Sequence, residues 1–257
     1  LKNLKHIFFL FSILITTDGF SKSKIDFSGG IQGRTLPSFG AEIYAESGYN
    51  QLLWGKKENK TDFKYGLIRP SIGASTSAVI NSIKGEVEFF PISILGLSAG
   101  KQIIHSNFNF PFFDCTQIAC TGQFERNFIE TKMVLGFKGW IAVGNYKTDT
   151  LNSPDPNRPM ADWRNVIIGE ADHEVQIEKK LLVGKMMAQE LFGVMYEHVQ
   201  FQGSREMKES FIGVYQTASK NNLYLIGAGT FHTNQQAMGL QIYFRIHHIS
   251  LPSLKLF

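Results

Sequence analysis

The residues best suited to chemistry in this chain are acids. In "GEADHEVQIEKKLLVG" (169–184), Glu170, Asp172, Glu174 and Glu178 fall in one even-numbered phase with Gln176 and Lys180. Glu86 and Glu88 repeat the spacing in "KGEVEFF". Carboxylates two residues apart stand on one face of a strand, an arrangement that suits paired general acid and base. Asp172–His173 and His105–Ser106 set acid, base and nucleophile types side by side. Neighbours on a strand point to opposite faces, however, so neither couple cooperates directly. The same parity separates His247 from His248, and no metal site is expected from them. A row of like charges repels itself and calls for water. The acids therefore read more simply as the lining of a wetted surface than as a reaction centre.

That surface has to be carried by strands, and period-two alternation recurs along the chain. Phe39, Ala41, Ile43 and Ala45 alternate with Gly40, Glu42, Tyr44 and Glu46. Ile83, Gly85, Val87 and Phe89 alternate with Lys84, Glu86 and Glu88. Leu240, Ile242, Phe244 and Ile246 alternate with Gln241, Tyr243, Arg245 and His247. Opposite Glu170–Lys180 stand Ala171, His173, Val175, Ile177 and Leu181, with Lys179 the exception. With the less regular segments added, the chain reads as all-β with about twelve strands, ten being possible. The stretch 178–198 is rich in the helix formers Leu, Met, Glu and Lys. Gly184 and Gly193 interrupt it, and it reads as two strands joined by a tight turn near Gly184–Lys185.

The 257 residues carry 19% charged and 13% aromatic residues, with 22 Phe and 24 Gly, low in charge for a soluble protein. The net charge of +4 comes from scattered Lys and Arg, which leaves no nucleic-acid footprint. At the start, basic "LKNLKH", apolar "IFFLFSILI" and polar "TTDGFS" follow the order of a secretory signal peptide, with removal expected after Ser21. The expected organisation is a signal peptide over 1–21 and one domain over 22–257. Export makes a disulfide between Cys115 and Cys120 chemically possible. After residue 21 no apolar run is long enough for a spanning helix, so the mature chain is either soluble or crosses a membrane as a β-barrel.

Connector lengths favour the second. "FPIS" (90–93), "GFKG" (136–139) and "ASKNN" (218–222) are short, whereas 105–122 and 148–162 are long, and the two kinds alternate. "GKKENKTD" (55–62) is the departure, long on the short side. "AMGLQIYF" (237–244) sets Gly239, Ile242 and Phe244 in the pattern of a last barrel strand, and the chain closes on Phe257. On these features the chain resembles the Gram-negative outer-membrane β-barrels, whose turns are short on the periplasmic side and long outside.

The resemblance implies an up-and-down antiparallel transmembrane barrel in the bacterial outer membrane. Its partners would be membrane lipid, lipopolysaccharide and the barrel-assembly machinery. Apolar residues would meet lipid, and Glu42, Glu46, Glu86, Glu88, Glu130, Glu170, Asp172, Glu174 and Glu178 would face the lumen with Lys84, Lys132, Lys180 and Arg245. With Glu197 added, acids outnumber bases there. The implied function is a narrow passive diffusion channel for small polar solutes or cations, working without a cofactor. The alternatives are an outer-membrane hydrolase, a sealed structural or adhesive barrel, and a soluble barrel with an apolar interior. Trp54, Trp140, Trp163, Tyr49, Tyr196 and Phe112–Phe113 would be interface aromatics.

Overall fold

A computed structural model describes residues 24–34, 40–55, 65–109, 113–162, 165, 167–170, 173–187, 190–219, 222–234 and 238–249. The expected signal peptide, Asp172, Trp163, Phe112 and Phe257 lie outside the described residues. In chain order the strands are β1 (Lys24–Arg34), β2 (Gly40–Trp54), β3 (Gly66–Thr76), β4 (Ile80–Ile92), β5 (Leu95–Ser106), β6 (Gly122–Phe137) and β7 (Trp140–Asn152). The short β8 (Met160–Asp162) and β9 (Ile167–Gly169) follow. Then come β10 (Glu174–Met187), β11 (Glu190–Phe201), β12 (Met207–Ser219), β13 (Asn222–Thr233) and β14 (Met238–Ile249). All but β8 and β9 form one closed antiparallel barrel of twelve strands. β7 pairs with β10 across the β8–β9 excursion, and β1 closes on β14 from Ser28–Ile249 to Arg34–Tyr243. Closure leaves no sheet edge, the condition for strands to cross a bilayer.

Local chemistry sets the turns. Lys138 and Gly139 join β6 to β7 with φ of 48° and 81°, the left-handed pair that a two-residue hairpin requires. The β10–β11 turn differs from the sequence reading: Gly184 does not turn but pairs with Gly193, and the chain reverses beyond Met187. Both glycines serve close approach, since a Cβ on Gly193 would lie 2.7 Å from the Val183 carbonyl oxygen. The long connector after β2 lies at the same end as the short turns, and its residues 56–64 are outside those described. Twelve strands form despite that irregularity.

Alternation sends the two faces to different surroundings. Ile129 and Met133 on β6, Leu181 and Val183 on β10, Phe211 on β12 and Ile226 on β13 are exposed on the outside. Exposed Ile, Leu, Val and Phe recur around the circumference, a surface that hydrocarbon solvates and water does not. At the turn end Trp54 and Trp140 stand outside, as an interface girdle does. Towards the loop end the outer face turns polar: Glu125 of β6 pairs with Lys101 of β5, and Tyr196 and His198 bond Glu209. The soluble-barrel alternative needs an apolar interior, and the charged interior described below excludes it.

Two apolar clusters close part of the interior. Val143, Leu182, Leu191, Ile212, Val214 and Leu225 fill the turn end beneath β7 and β10–β13. Met160 of β8 and Ile167 of β9 join Ile104, Phe124, Leu151, Val199 and Phe201 at the loop end. The β8–β9 hairpin is thus folded into the mouth of the barrel.

Candidate functional site

Between those clusters the inward positions are polar, because every second residue of each strand must point inside and these are the residues found there. Arg69 of β3 is 2% exposed and holds three acids. Its guanidinium donates to both Asp26 oxygens (Nε 2.7 Å, Nη2 2.6 Å), to Glu46 (2.8 Å) and to Glu88 (2.6 Å). The planar fork suits this bidentate geometry, and an ammonium does not reproduce it. Pro70 beside it has no N–H to give the ladder, and the β2–β3 pairing lapses between Gly48–Ser71 and Gln51–Ile68, to resume in the same register.

Gly48 makes the space: a Cβ at that position would lie 2.5 Å from the Arg69 guanidinium carbon. Gly48→Val is expected to push Arg69 off its acids and to lower stability by roughly 1–3 kcal/mol. Urea unfolding in lipid vesicles measures this. Gly144→Ala is the control, because a Cβ there meets nothing within 4 Å and the midpoint should hold.

Further along the lumen the charges form a ladder. Lys84 sits 3.3 Å from Glu46 and 3.0 Å from Glu86. Lys132 sits 3.1 Å from Glu130, and Asn145 also donates to Glu130. Lys180 bridges Glu178 and Glu197, and Lys208 approaches Glu197 at 3.4 Å. Lys147 pairs with Asp149 at 2.9 Å. Arg245 donates to the Tyr44 hydroxyl at 2.9 Å, and Gln32 donates to Glu42 at 2.6 Å. Glu46, Glu86 and Glu88 bring carboxylate oxygens within 4.8 Å of one another, a spacing a metal could use. Arg69, Lys84 and Lys132 already neutralise them, so the cluster is an ion-pair network.

These side chains surround a cavity of about 300 Å³. It carries Glu42, Glu46, Glu86, Glu130 and Glu178 against Lys84, Lys132, Lys147, Lys180 and Arg245. At its loop-end margin Gln32, Glu42 and Ser75 are half-exposed. Towards the turn end the Arg69 cluster and the apolar cluster form its floor.

Sequence parity placed too few bases inside, put Glu170 there wrongly and missed the inward acids Asp26 and Asp149. Glu170 is exposed and precedes β10, because the chain turns at His173 (φ 63°) and the alternation starts only at Glu174. Glu174 is at the rim, where its carboxylate accepts the backbone N–H groups of Glu170 (2.8 Å) and Gly203 (2.6 Å). Arg69, Arg126, Lys147 and Lys208 are additional buried or half-buried bases inside. They lie on strands whose sequences alternate less clearly: Pro70 follows Arg69, and Lys147 is flanked by Tyr146 and Thr148. The signal that could have found them is their place two residues from an inward partner, as with Lys147 and Asp149.

The hydrolase candidates stay apart. His105 is exposed outside while Ser106 is buried inside, and His173 bonds Asn152 at an exposed turn. Phe113 packs with Ile118 and Cys120 rather than at an interface.

The loop after β5 lies over the β8–β9 hairpin. Ala119 forms a parallel bridge to Met160, and Arg158 donates to the Ile118 carbonyl at 2.8 Å. Gln176 donates to Asp162 at 2.6 Å, tying the hairpin to the barrel wall. Cys115 and Cys120 are joined by a disulfide. Asp114 accepts from the Thr116 hydroxyl and amide, which hold its carboxyl below the usual carboxylate range. A closed loop this short contributes about 2 kcal/mol of local order. Cys115→Ser with Cys120→Ser is expected to expose 107–121 to added protease several-fold faster, with the barrel itself left resistant. Gel analysis of digested vesicles checks it.

No protein-family model matches the chain, and no curated protein is similar enough to match. Among solved structures, an outer membrane channel from Pseudomonas putida F1 superposes with a TM-score of 0.52 at 10% identity, covering 90% of this chain and 98% of that one. The β domain of the Bordetella autotransporter BrkA gives 0.46 at 7% identity, covering 89% and 99%. OmpT of Vibrio cholerae lacking loop L8 gives 0.40 at 8% identity, covering 89% and 100%. At such identities the likeness concerns the fold, which is that of the outer-membrane β-barrels.

Proposed function

We propose that this chain is a bacterial outer-membrane barrel that passes small polar solutes and ions through a narrow interior, driven only by their gradients. The observation that carries the reading is the charged cavity of about 300 Å³ inside an apolar-coated barrel. A barrel of about eight strands fills itself with side chains and one of sixteen leaves a wide channel, so twelve strands with a part-filled lumen suit a narrow path. The N- and C-terminal ends of the barrel, Lys24 and Ile249, lie at the short-turn end, the periplasmic side in this reading.

The balance of charge around the cavity argues for weak ion selectivity in place of the net acidic, cation-favouring lumen that the acid row suggests. Purified protein in a planar bilayer should give discrete current steps, with a reversal potential near zero in a potassium chloride gradient. Folded, heat-modifiable protein without current would overturn the channel. The sealed-barrel reading is favoured by the two apolar clusters, and the same experiment separates it.

A further inference from the structure

We infer that the central cavity is a binding site for small zwitterions, molecules carrying one ammonium and one carboxylate a few ångströms apart; this rests on the channel reading above and names its solute class. Acids predominate on the wall made by β2 and β4, through Glu42, Glu46 and Glu86. Across the lumen, β6, β7 and β10 present Lys132, Lys147 and Lys180. Each wall also carries charge of the other sign, Lys84 on the first and Glu130 and Glu178 on the second, and the total is balanced.

The amines retain capacity. Lys84, Lys132 and Lys180 each hold two carboxylates, and an ammonium has three N–H donors. Their side chains remain 26–33% accessible, more than the 4–16% of the carboxylates they hold. The cavity wall also contains a polar group without a use: Ser28 is 5% exposed, and its hydroxyl has no hydrogen-bond partner among the described residues. Asn145 donates to Glu130, yet its carbonyl oxygen is likewise unpartnered.

A lone anion or cation entering this cavity gains from one wall and is opposed by the other. A neutral solute displaces water from ion pairs and returns no charge to them. A zwitterion does neither: its carboxylate takes the spare amine donors while its ammonium faces the acids, and the alternating ladder is extended by one step. The volume, at the lower end of small-molecule sites, suits a solute of amino-acid size.

The test uses the full barrel in proteoliposomes, comparing swelling in glutamine, a net-neutral zwitterion, with swelling in arabinose, an uncharged solute of similar size. Glutamine is expected to enter several-fold faster. Glu130→Gln with Lys132→Gln removes one pair without changing net charge, and Glu42→Gln alters the half-exposed acid wall at low risk to folding. Both should shrink the glutamine advantage, read as the ratio of the two entry rates. Equal entry of the two solutes in the wild-type barrel, or an advantage untouched by both variants, overturns the zwitterion site while the channel stands. Entry of neither solute overturns the site and the channel together.

Discussion

Replacing residues 153–171 by a short Gly-Ser connector raises the bilayer conductance of this barrel several-fold. The segment contains the β8–β9 hairpin, whose Met160 and Ile167 are fully buried against Ile104, Phe124, Leu151, Val199 and Phe201 at the loop end of the lumen. Nothing in the barrel ladder depends on it: β7 and β10 pair with each other directly from Trp140–Lys185 to Leu151–Glu174. Removing the hairpin thus opens the mouth and leaves twelve strands closed. The cost is the exposure of a few apolar side chains at the rim and the loss of the Ala119–Met160 bridge, with no break in the backbone pairing of the barrel. Single-channel recording gives the conductance, and the heat-dependent gel shift reports whether the barrel is folded. An unchanged conductance in a folded deletion variant means that the narrowest point is elsewhere, and the Arg69 floor becomes the candidate.

The second large effect is at that floor. Arg69→Met is expected to destabilise the barrel by about 3–5 kcal/mol, the usual result of stripping one partner from a buried ion-pair cluster. Asp26, Glu46 and Glu88 are each at most 9% exposed and lose a common counter-charge. Arg69→Lys keeps the charge but not the fork, and should recover only part of the loss because the four short hydrogen bonds cannot be remade. Urea titration in vesicles measures both. A midpoint for Arg69→Met within error of wild type would show that the cluster contributes nothing net.

How far the sequence reveals this architecture depends on how strictly each strand alternates. β2, β4 and β10 keep period two over many residues, and their faces are legible: Glu46, Glu86 and Glu178 are inside, Ile43, Val87 and Leu181 outside. The rule fails where backbone irregularity intervenes. His173 adopts a left-handed φ, which removes Glu170 from the column that its parity suggests. Gly184 looks like a turn residue by type, yet it is a point of close strand contact. Long-range partners are the least legible. Arg69 finds Asp26 across β2, a separation of 43 residues, and no local pattern announces that meeting. The hairpin in the mouth is equally hidden, since Met160 and Ile167 are too few to show a period and gain their burial only from the barrel wall.

The account depends on sidedness, and two neighbouring residues of β7 test it. Asn145 lines the cavity and Tyr146 is exposed outside. With both native cysteines replaced, a nitroxide spin label is attached to a cysteine at either position in lipid vesicles, and its collisions with oxygen and with a water-soluble nickel complex are measured. The label at position 145 should meet nickel more readily, and the label at 146 should meet oxygen more readily. The reverse pattern, or two labels that see the same surroundings, would contradict a wet interior enclosed by a lipid-facing wall.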